Sequence, residues 1–133
     1  MIPIAKPYLT EKEAQAAYDT ILTGWITQGP RVAEFEERFA AYTGARYAVA
    51  VSNCTTALHL SMIMAGVGAG DEVICPSMSY IATANCIKYV GAKPVFAEVN
   101  PETYNLDITD AEQKITSKTK AILLVHQIGM PAD

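Results

Sequence analysis

Apolar residues follow two different patterns along the chain. Near the N-terminus they recur at the three- and four-residue spacing of amphipathic helices, and from Tyr47 onward short β-rich apolar runs alternate with helical stretches. The pattern predicts helices over residues 11–23, 30–43, 55–67, 80–90 and 109–115, and strands over residues 47–52, 72–76, 94–99 and 121–126.

Capping signals indicate where three of the helices begin. Thr10 with Glu13 has the spacing of a capping box before the first helix, and Thr109 with Glu112 has it before the last. Pro30 suits the first turn of the second helix, because a proline there gives up no intrahelical hydrogen bond. The predicted buried stripe of this second helix is Val32, Phe35, Phe39 and Tyr42, and Gly44 is predicted to end it.

The spacing of the strand-like runs predicts how they pair. Their starts lie 22 to 27 residues apart, which leaves room for a crossover helix and is too long for a hairpin. This spacing favours βαβ units and a parallel sheet with right-handed crossovers. The unbroken apolar run over residues 121–125 indicates a strand buried on both faces. The expected fold class is therefore α/β, with three layers and a mainly parallel sheet.

The order of elements suggests that the sequence belongs to a longer protein. The last residues follow directly on the fourth predicted strand, where the alternation leads us to expect another helix. A four-stranded parallel sheet is also small for this fold class. We expect residues 1–30 to form an N-terminal helix and a connecting loop, and residues 31–133 to form part of a larger α/β domain.

Composition excludes several classes of protein. The 133 residues carry 10 Lys and Arg against 14 Asp and Glu, for a net charge of −4, with the basic residues scattered. Nucleic-acid and lipid-surface binding are poor expectations, since both need clustered basic residues. There is no secretory leader pattern and no apolar run of the roughly 18–20 residues that would span a bilayer, so we expect a cytoplasmic protein. The three cysteines fit no metal-ligand spacing and are expected to be reduced.

Ligands of an open parallel sheet bind beyond the carboxyl ends of its strands, which makes residues 52–56 the most informative loop. Small polar residues there join a strand to a helix and place backbone N–H groups and hydroxyls at the positive end of a helix dipole. This arrangement suits an anion, with phosphate the expected one. The alternative is a helix cap made by Ser52, Asn53 or Thr55 for the helix alone.

Other residues that could take part in binding or catalysis are expected at the same edge of the sheet. Tyr80 follows the second strand and could stack on a flat heterocycle, or could pack inward at the start of a helix. His126 and Gln127 end the fourth strand. His59 lies within an apolar helix and fits a core histidine better than a ligand. The glycines of residues 66–70 follow a helix and precede a strand, which is the wrong context for a dinucleotide-binding motif.

Five segments in order resemble one known family. They are GWITQGPRVAEFEERFAAYTG, AVAVSNCTTALHLSM, GAGDEVICPSMSYIATAN, GAKPVFAEV and TKAILLVHQIGMPAD. Together they are similar to the N-terminal third of the DegT/DnrJ/EryC1/StrS family of aminotransferases, which use pyridoxal 5'-phosphate and act on nucleotide-linked keto sugars. The resemblance implies the fold of the aspartate aminotransferase superfamily, with this chain as the first part of its large domain.

The resemblance also implies roles for particular residues. The backbone amides of Cys54, Thr55 and Thr56 and the Thr55 hydroxyl would hold the cofactor phosphate, and Tyr80 would stack on the pyridine ring. Cys54 departs from the glycine or alanine common in relatives. Thr27 and Gln28 lie in a glycine-rich link that borders the active site in relatives, so they are expected near the substrate. The alternative is a plain connecting loop at residues 25–30.

The resemblance implies a reaction that this chain cannot complete alone. The family's Schiff-base lysine and the aspartate that pairs with the pyridine nitrogen lie in later segments of the fold, so no catalytic residue and no metal ligand is assigned here, and the chain alone is expected to be inactive. The expected partners are an amino donor such as glutamate, a nucleotide-linked keto sugar and a second subunit of a homodimer. Alternatives are a sugar dehydratase of the same family, or a non-catalytic phosphate-binding α/β module.

Overall fold

The computed structural model describes residues 6–132, and the chain divides into two compact units, Met1–Ala50 and Val51–Asp133. The division falls later than the domain boundary expected after residue 30, so the second helix groups with the first. The boundary after residue 30 stays a prediction. Within the described part of the chain, no helix has both the length and the apolar character needed to cross a bilayer.

The first unit contains helices α1 (Glu11–Leu22) and α2 (Pro30–Thr43). The predicted capping box before α1 is confirmed, because the Thr10 backbone N–H donates to Glu13 Oε2 at 2.6 Å while Thr10 Oγ1 accepts from the Lys12 N–H at 3.3 Å. The predicted end of α2 is confirmed as well. Gly44 lies just beyond the helix with a left-handed φ of 72°.

The predicted burial of the apolar stripe on α2 is wrong. Phe35, Phe39 and Tyr42 are exposed, Tyr42 to 89%, and Val32 is half-buried. Ala40 is the buried residue of this helix. Helical spacing predicts which face is apolar, but burial also needs a second element packed against that face. The rings of Phe35 and Phe39 do contact each other, with centroids 5.8 Å apart.

The second unit alternates helices and strands as predicted. Its elements are α3 (Cys54–Met64), β1 (Glu72–Pro76), α4 (Ala82–Tyr89), β2 (Lys93–Ala97), α5 (Ile108–Gln113) and β3 (Thr119–Ile122). The three strands form one parallel sheet in the order β2-β1-β3, which confirms the predicted sheet type. Register pairs Ile74 of β1 with Val95 of β2 and with Ile122 of β3.

Successive side chains of β1 enter two different apolar clusters, because residues of a strand alternate between its faces. Val73 and Cys75 pack with residues of α3 and α4, among them Met62 and Ile87. Ile74 packs instead with Ala97, Leu106 and Ala111 of the β2 to α5 region. The sheet therefore lies between α3 and α4 on one face and α5 on the other, and the three-layer expectation is confirmed.

Two strand predictions need correction. Residues 47–52 form no strand, because no described residue pairs with them in a ladder. The last strand is Thr119–Ile122 rather than residues 121–126, and a short 3-10 turn follows at Gln127–Gly129. Ile122 and Leu124 are also about half exposed, so burial on both faces holds for β1 and not for β3. β3 pairs with β1 on one side and is an edge strand among the described residues.

The cap of α5 differs from the predicted one. The helix begins at Ile108, so Thr109 lies inside it, and Asp107 is the N-cap. Asp107 Oδ1 accepts from the Asp110 N–H at 3.1 Å. Aspartate is a stronger N-cap than threonine, which accounts for the earlier start.

Helix α3 ends at Met64, earlier than the predicted residue 67, and Gly66 follows with a left-handed φ of 68°.

Candidate functional site

The N-terminus of α3 is built by a side-chain cap. Asn53 precedes the helix in an extended conformation, and its Oδ1 accepts from the Thr56 N–H at 2.9 Å and from the Thr56 hydroxyl at 3.1 Å. The Asn53 carbonyl accepts from the Ala57 N–H at 3.2 Å. Ser52 Oγ lies 3.2 Å from Thr56 Oγ1. Of the three possible caps that the sequence offers, Asn53 is therefore the one used.

The same helix end keeps several donors available. The N–H groups of Cys54 and Thr55 and the Thr55 hydroxyl have no hydrogen-bond partner among residues 6–132. The first N–H groups of a helix point out of its positive end, where an anion can accept from them. Of the predicted phosphate ligands, Cys54 and Thr55 thus have free donors, while the Thr56 N–H is already engaged by Asn53. This end of α3 fits a phosphate group in both charge and donor geometry.

Tyr80 lies in the loop between β1 and α4. The residue is 77% exposed, so the alternative that it packs inward is wrong. The loop is held at both sides, since the Ser77 N–H donates to the Ala97 carbonyl at 2.8 Å and Ser79 Oγ lies 2.7 Å from Thr83 Oγ1. The Tyr80 carbonyl itself accepts from the Thr83 N–H at 3.0 Å. An ordered loop thus presents an accessible aromatic ring.

Connectivity places the α3 N-terminus and Tyr80 at the same edge of the sheet. The C-terminal end of α3 leads through a short link into the start of β1, and Leu58 and Met62 of α3 pack on the β1 side chains. The other end of α3 therefore lies toward the carboxyl end of β1. Tyr80 lies in the short loop that follows that end. The sequence expectation that these groups share one edge is met by the fold.

Thr27 and Gln28 belong to the first unit, in the loop between α1 and α2. The Trp25 indole Nε1–H donates to the Gln28 carbonyl at 2.6 Å and closes the loop. Gly29 lies against this indole so closely that a Cβ there would come within 2.1 Å of Nε1. Thr27 and Trp25 line a cavity of about 450 Å³, and Gln28 is not among its lining residues. Sequence reasoning did not single out Trp25, although its place within the glycine-rich link was a usable signal.

The remaining candidate groups have structural explanations. His59 contacts the exposed Tyr89 ring edge-on with ring centroids 5.4 Å apart, but it is half-buried and lies outside the buried core, so the expectation of a core histidine is wrong. Burial raises the pKa of the Cys75 thiol to about 11 and also raises that of Cys86. All three cysteines are free, and Cys54 is exposed. In the described residues, no group of three His, Cys, Asp or Glu side chains is gathered as metal ligands would be.

Comparison with known proteins identifies the family. The profile of the DegT/DnrJ/EryC1/StrS aminotransferase family matches residues 7–133. The chain belongs to this family. Its members depend on pyridoxal phosphate, and the free donors of Cys54 and Thr55 lie where a phosphate group can be held.

Two named relatives match almost the whole of this chain. The chain is 45% identical over 133 residues to GDP-perosamine synthase of Escherichia coli O157:H7, covering 99% of this chain and 36% of that protein. It is 42% identical over 132 residues to UDP-4-amino-4-deoxy-L-arabinose--oxoglutarate aminotransferase of Shewanella sediminis, covering 99% of this chain and 34% of that protein. The chain thus spans about a third of the length of these relatives.

Solved structures agree in fold. The PLP form of the putative sugar aminotransferase Spr1654 from Streptococcus pneumoniae superposes with a TM-score of 0.93 at 41% identity, covering 99% of this chain and 34% of that one. A 3-amino-5-hydroxybenzoic acid synthase superposes with a TM-score of 0.89 at 37% identity, covering 97% of this chain and 34% of that one. The α/β fold of this chain is therefore the fold of the corresponding part of pyridoxal-phosphate-dependent enzymes.

Proposed function

We propose that this chain supplies the phosphate- and ring-binding part of an aminotransferase that transfers an amino group to a nucleotide-linked keto sugar. The observation that carries the proposal is the set of unpartnered donors at the start of α3, in a chain of this family. The relatives named for GDP-perosamine and for UDP-4-amino-4-deoxy-L-arabinose support a sugar nucleotide as the substrate.

The amino donor follows from reaction chemistry. The name of the Shewanella sediminis relative includes oxoglutarate, which is the keto acid that remains when glutamate gives up its amino group. We propose glutamate as the donor here as well. When bound, pyridoxal phosphate supplies the electron-accepting ring through which an amino group passes from donor to acceptor. The residues of this chain bind and orient that group.

Each proposed binding residue has a distinct task. The N–H groups of Cys54 and Thr55 and the Thr55 hydroxyl donate to the phosphate, which fixes one end of the cofactor. The N–H of Thr56 can join them only by leaving its present acceptor, Asn53 Oδ1. The exposed ring of Tyr80 stacks on the pyridine and fixes its plane. None of these side chains moves a proton in the reaction.

The proposal also includes the residues that face the substrate and the oligomeric state of the enzyme. Thr27 and Gln28 are proposed to face the sugar nucleotide, supported by the cavity that Thr27 lines with Trp25. A homodimer is proposed as the working assembly. Its support is the exposed aromatic stripe of α2, which includes Phe35, Phe39 and Tyr42 and loses contact with water if a second subunit covers it.

A pair of threonine variants tests the phosphate site in the complete enzyme. We expect Thr55→Ala to weaken pyridoxal phosphate binding by about 1–3 kcal/mol, the range for a hydrogen bond to a charged group. Thr56→Ala is the matched control, because it keeps the backbone N–H and removes a hydroxyl that already donates to Asn53. Titration of the apoenzyme with cofactor, followed by absorbance, measures both. Unchanged affinity of Thr55→Ala would count against the phosphate assignment.

A further inference from the structure

Asn105 joins two loops through a buried side chain. It is 5% exposed and lies in the segment between β2 and α5. Its Nδ2 donates to the carbonyls of Met130 at 3.2 Å and Pro131 at 2.9 Å, and its Oδ1 accepts from the Gln127 N–H at 2.9 Å. Both N–H hydrogens and the oxygen of this amide therefore form hydrogen bonds with the segment of residues 126–131.

Backbone strain marks both of the joined segments. In the described part of the chain, the non-glycine residues with positive φ are Tyr104, at 59°, and Ile128, at 54°. Tyr104 immediately precedes Asn105, and Ile128 immediately follows Gln127. A β-branched residue is costly in this region of φ, and such a conformation persists where the surrounding structure enforces it. The Asn105 hydrogen bonds join the two segments that contain these residues, and strained residues of this kind cluster at functional sites.

The clamped segment follows β3 in the direction of the carboxyl end of the sheet. Ile122 pairs with Ile74, and the Leu123 N–H donates to the Ile74 carbonyl at 2.8 Å, so the chain beyond β3 continues along β1 toward its carboxyl end. His126 lies in this stretch. Its Nδ1 accepts from the Ala132 N–H at 3.0 Å, which leaves the proton of the neutral ring on Nε2. Among residues 6–132, Nε2 has no hydrogen-bond partner.

We propose that Asn105 is a positioning residue for the reaction: it fixes residues 126–131 and so holds the His126 imidazole, with its Nε2–H free to donate, at the cofactor-binding edge of the sheet. The proposal rests on the proposed function, because that function puts the cofactor at this edge. Asn105 acts through the loop and does not itself contact the reacting atoms.

The first test is hydrogen exchange in the complete enzyme. Asn105→Ala should raise the exchange rate of the Gln127 amide at least about tenfold, since that amide loses its acceptor. Asn105→Asp keeps an acceptor for the Gln127 N–H and removes the donors to the Met130 and Pro131 carbonyls. It replaces the alanine variant in this experiment if the alanine variant does not fold. With Asn105→Asp, the segment should loosen at the Met130 and Ala132 amides. Unchanged exchange in the variant that folds would overturn the proposal. This test needs no bound cofactor, so its result is separate from failure of the proposed function.

The second test separates positioning from stability. Asn105→Ala should lower kcat by about tenfold to a hundredfold with KM for the sugar nearly unchanged, the effect of a displaced group at the reacting centre. Asn100→Ala is the control, because Asn100 Oδ1 accepts from the Glu102 and Thr103 N–H groups in the same turn and does not reach residues 126–131. An equal loss of kcat in the control would mean that Asn105 is merely structural.

A double-mutant cycle tests the route through His126. His126→Ala should lower kcat in the otherwise unaltered enzyme and should have little further effect in the Asn105→Ala background, because residues that act as one unit are not additive. Independent, multiplying losses would contradict the proposed route.

Discussion

The two ends of the sheet use their polar groups differently. At the amino end, the buried carboxylate of Glu72 accepts from the Thr116 hydroxyl at 2.8 Å and from the Lys93 ammonium at 3.0 Å, so its partners all lie within the protein. At the carboxyl end, the N–H groups of Cys54 and Thr55 have no acceptor among the described residues.

From this contrast we expect ligand binding at the carboxyl end of the sheet and a contribution to stability at the amino end. At the amino end, an ion pair with Lys93 ties Glu72 of β1 to β2, and a hydrogen bond from Thr116 ties it to the turn before β3. The carboxyl end leaves donors free at a helix start and an aromatic ring, Tyr80, open to solvent, which is the arrangement expected at the ligand edge of a parallel sheet. Substitutions at the carboxyl end should therefore change ligand binding more than stability, and those at the amino end should do the reverse.

Two substitutions of Asn53 separate an effect on stability from an effect on cofactor binding. Asn53→Ala removes the cap of α3 and should cost about 0.5–2 kcal/mol of stability. Asn53→Asp keeps a good N-cap and should retain stability, but it adds a negative charge beside the proposed phosphate and should weaken cofactor binding. Urea unfolding and cofactor titration measure the two effects. Tight cofactor binding by Asn53→Asp would place the phosphate somewhere else.

Tyr80 should affect binding with little effect on folding. Tyr80→Ala removes the stacking ring and should weaken cofactor binding by about 0.5–1.5 kcal/mol, while Tyr80→Phe keeps the ring and should stay near the wild type. Because the ring is exposed, neither variant should lower the thermal midpoint appreciably. A large loss of stability in Tyr80→Ala would show that the ring packs within the protein instead.

Substitution of Glu72 should change the stability of the fold and not cofactor binding. The pKa of the Glu72 carboxyl determines how this change depends on pH. Hydrogen bonds from Thr116, and then from Lys93, hold the pKa of the Glu72 carboxyl below its usual value of 4.5. The carboxylate therefore stabilises the fold above the unfolded pKa, and this contribution is lost as the pH falls through the lowered pKa of the folded state.

Glu72→Gln should consequently lower the thermal midpoint at neutral pH and flatten its decline in acid. Thr116→Val is the comparison, since it leaves the Lys93 contact and should give a smaller change in the same direction. Thermal unfolding between neutral pH and about pH 3 measures both variants. Cofactor affinity at neutral pH should not change. An unchanged decline in acid would argue against this role of Glu72.

Local sequence patterns predicted the features that depend on near neighbours. The capping box at Thr10 and the parallel pairing of β1 with its neighbours follow from spacing alone, and so does the start of α3 after a polar turn. Patterns that depend on a distant partner were less informative. The stripe on α2 that includes Phe35 is apolar but exposed, and residues 47–52 have β propensity but no described partner to pair with.

The candidate site was predicted in part. The predicted positions of Cys54 and Thr55 at the start of a helix and of Tyr80 in the loop after β1 are confirmed, and their roles in cofactor binding stay predictions. The engagement of Thr56 by Asn53 could not be foreseen, since several neighbouring polar residues could have capped the helix. Asn105 was missed because its partners lie more than twenty residues away along the chain and are mostly backbone groups, which leave no trace in residue type.

The start of α3 is proposed to hold the phosphate of the cofactor. A crystal structure of the complete enzyme with pyridoxal phosphate tests it most directly. We expect the phosphate oxygens within hydrogen-bond distance of the Cys54 and Thr55 backbone nitrogens and the Tyr80 ring stacked on the pyridine. A cofactor bound away from this helix end, with those nitrogens facing solvent, would contradict the account.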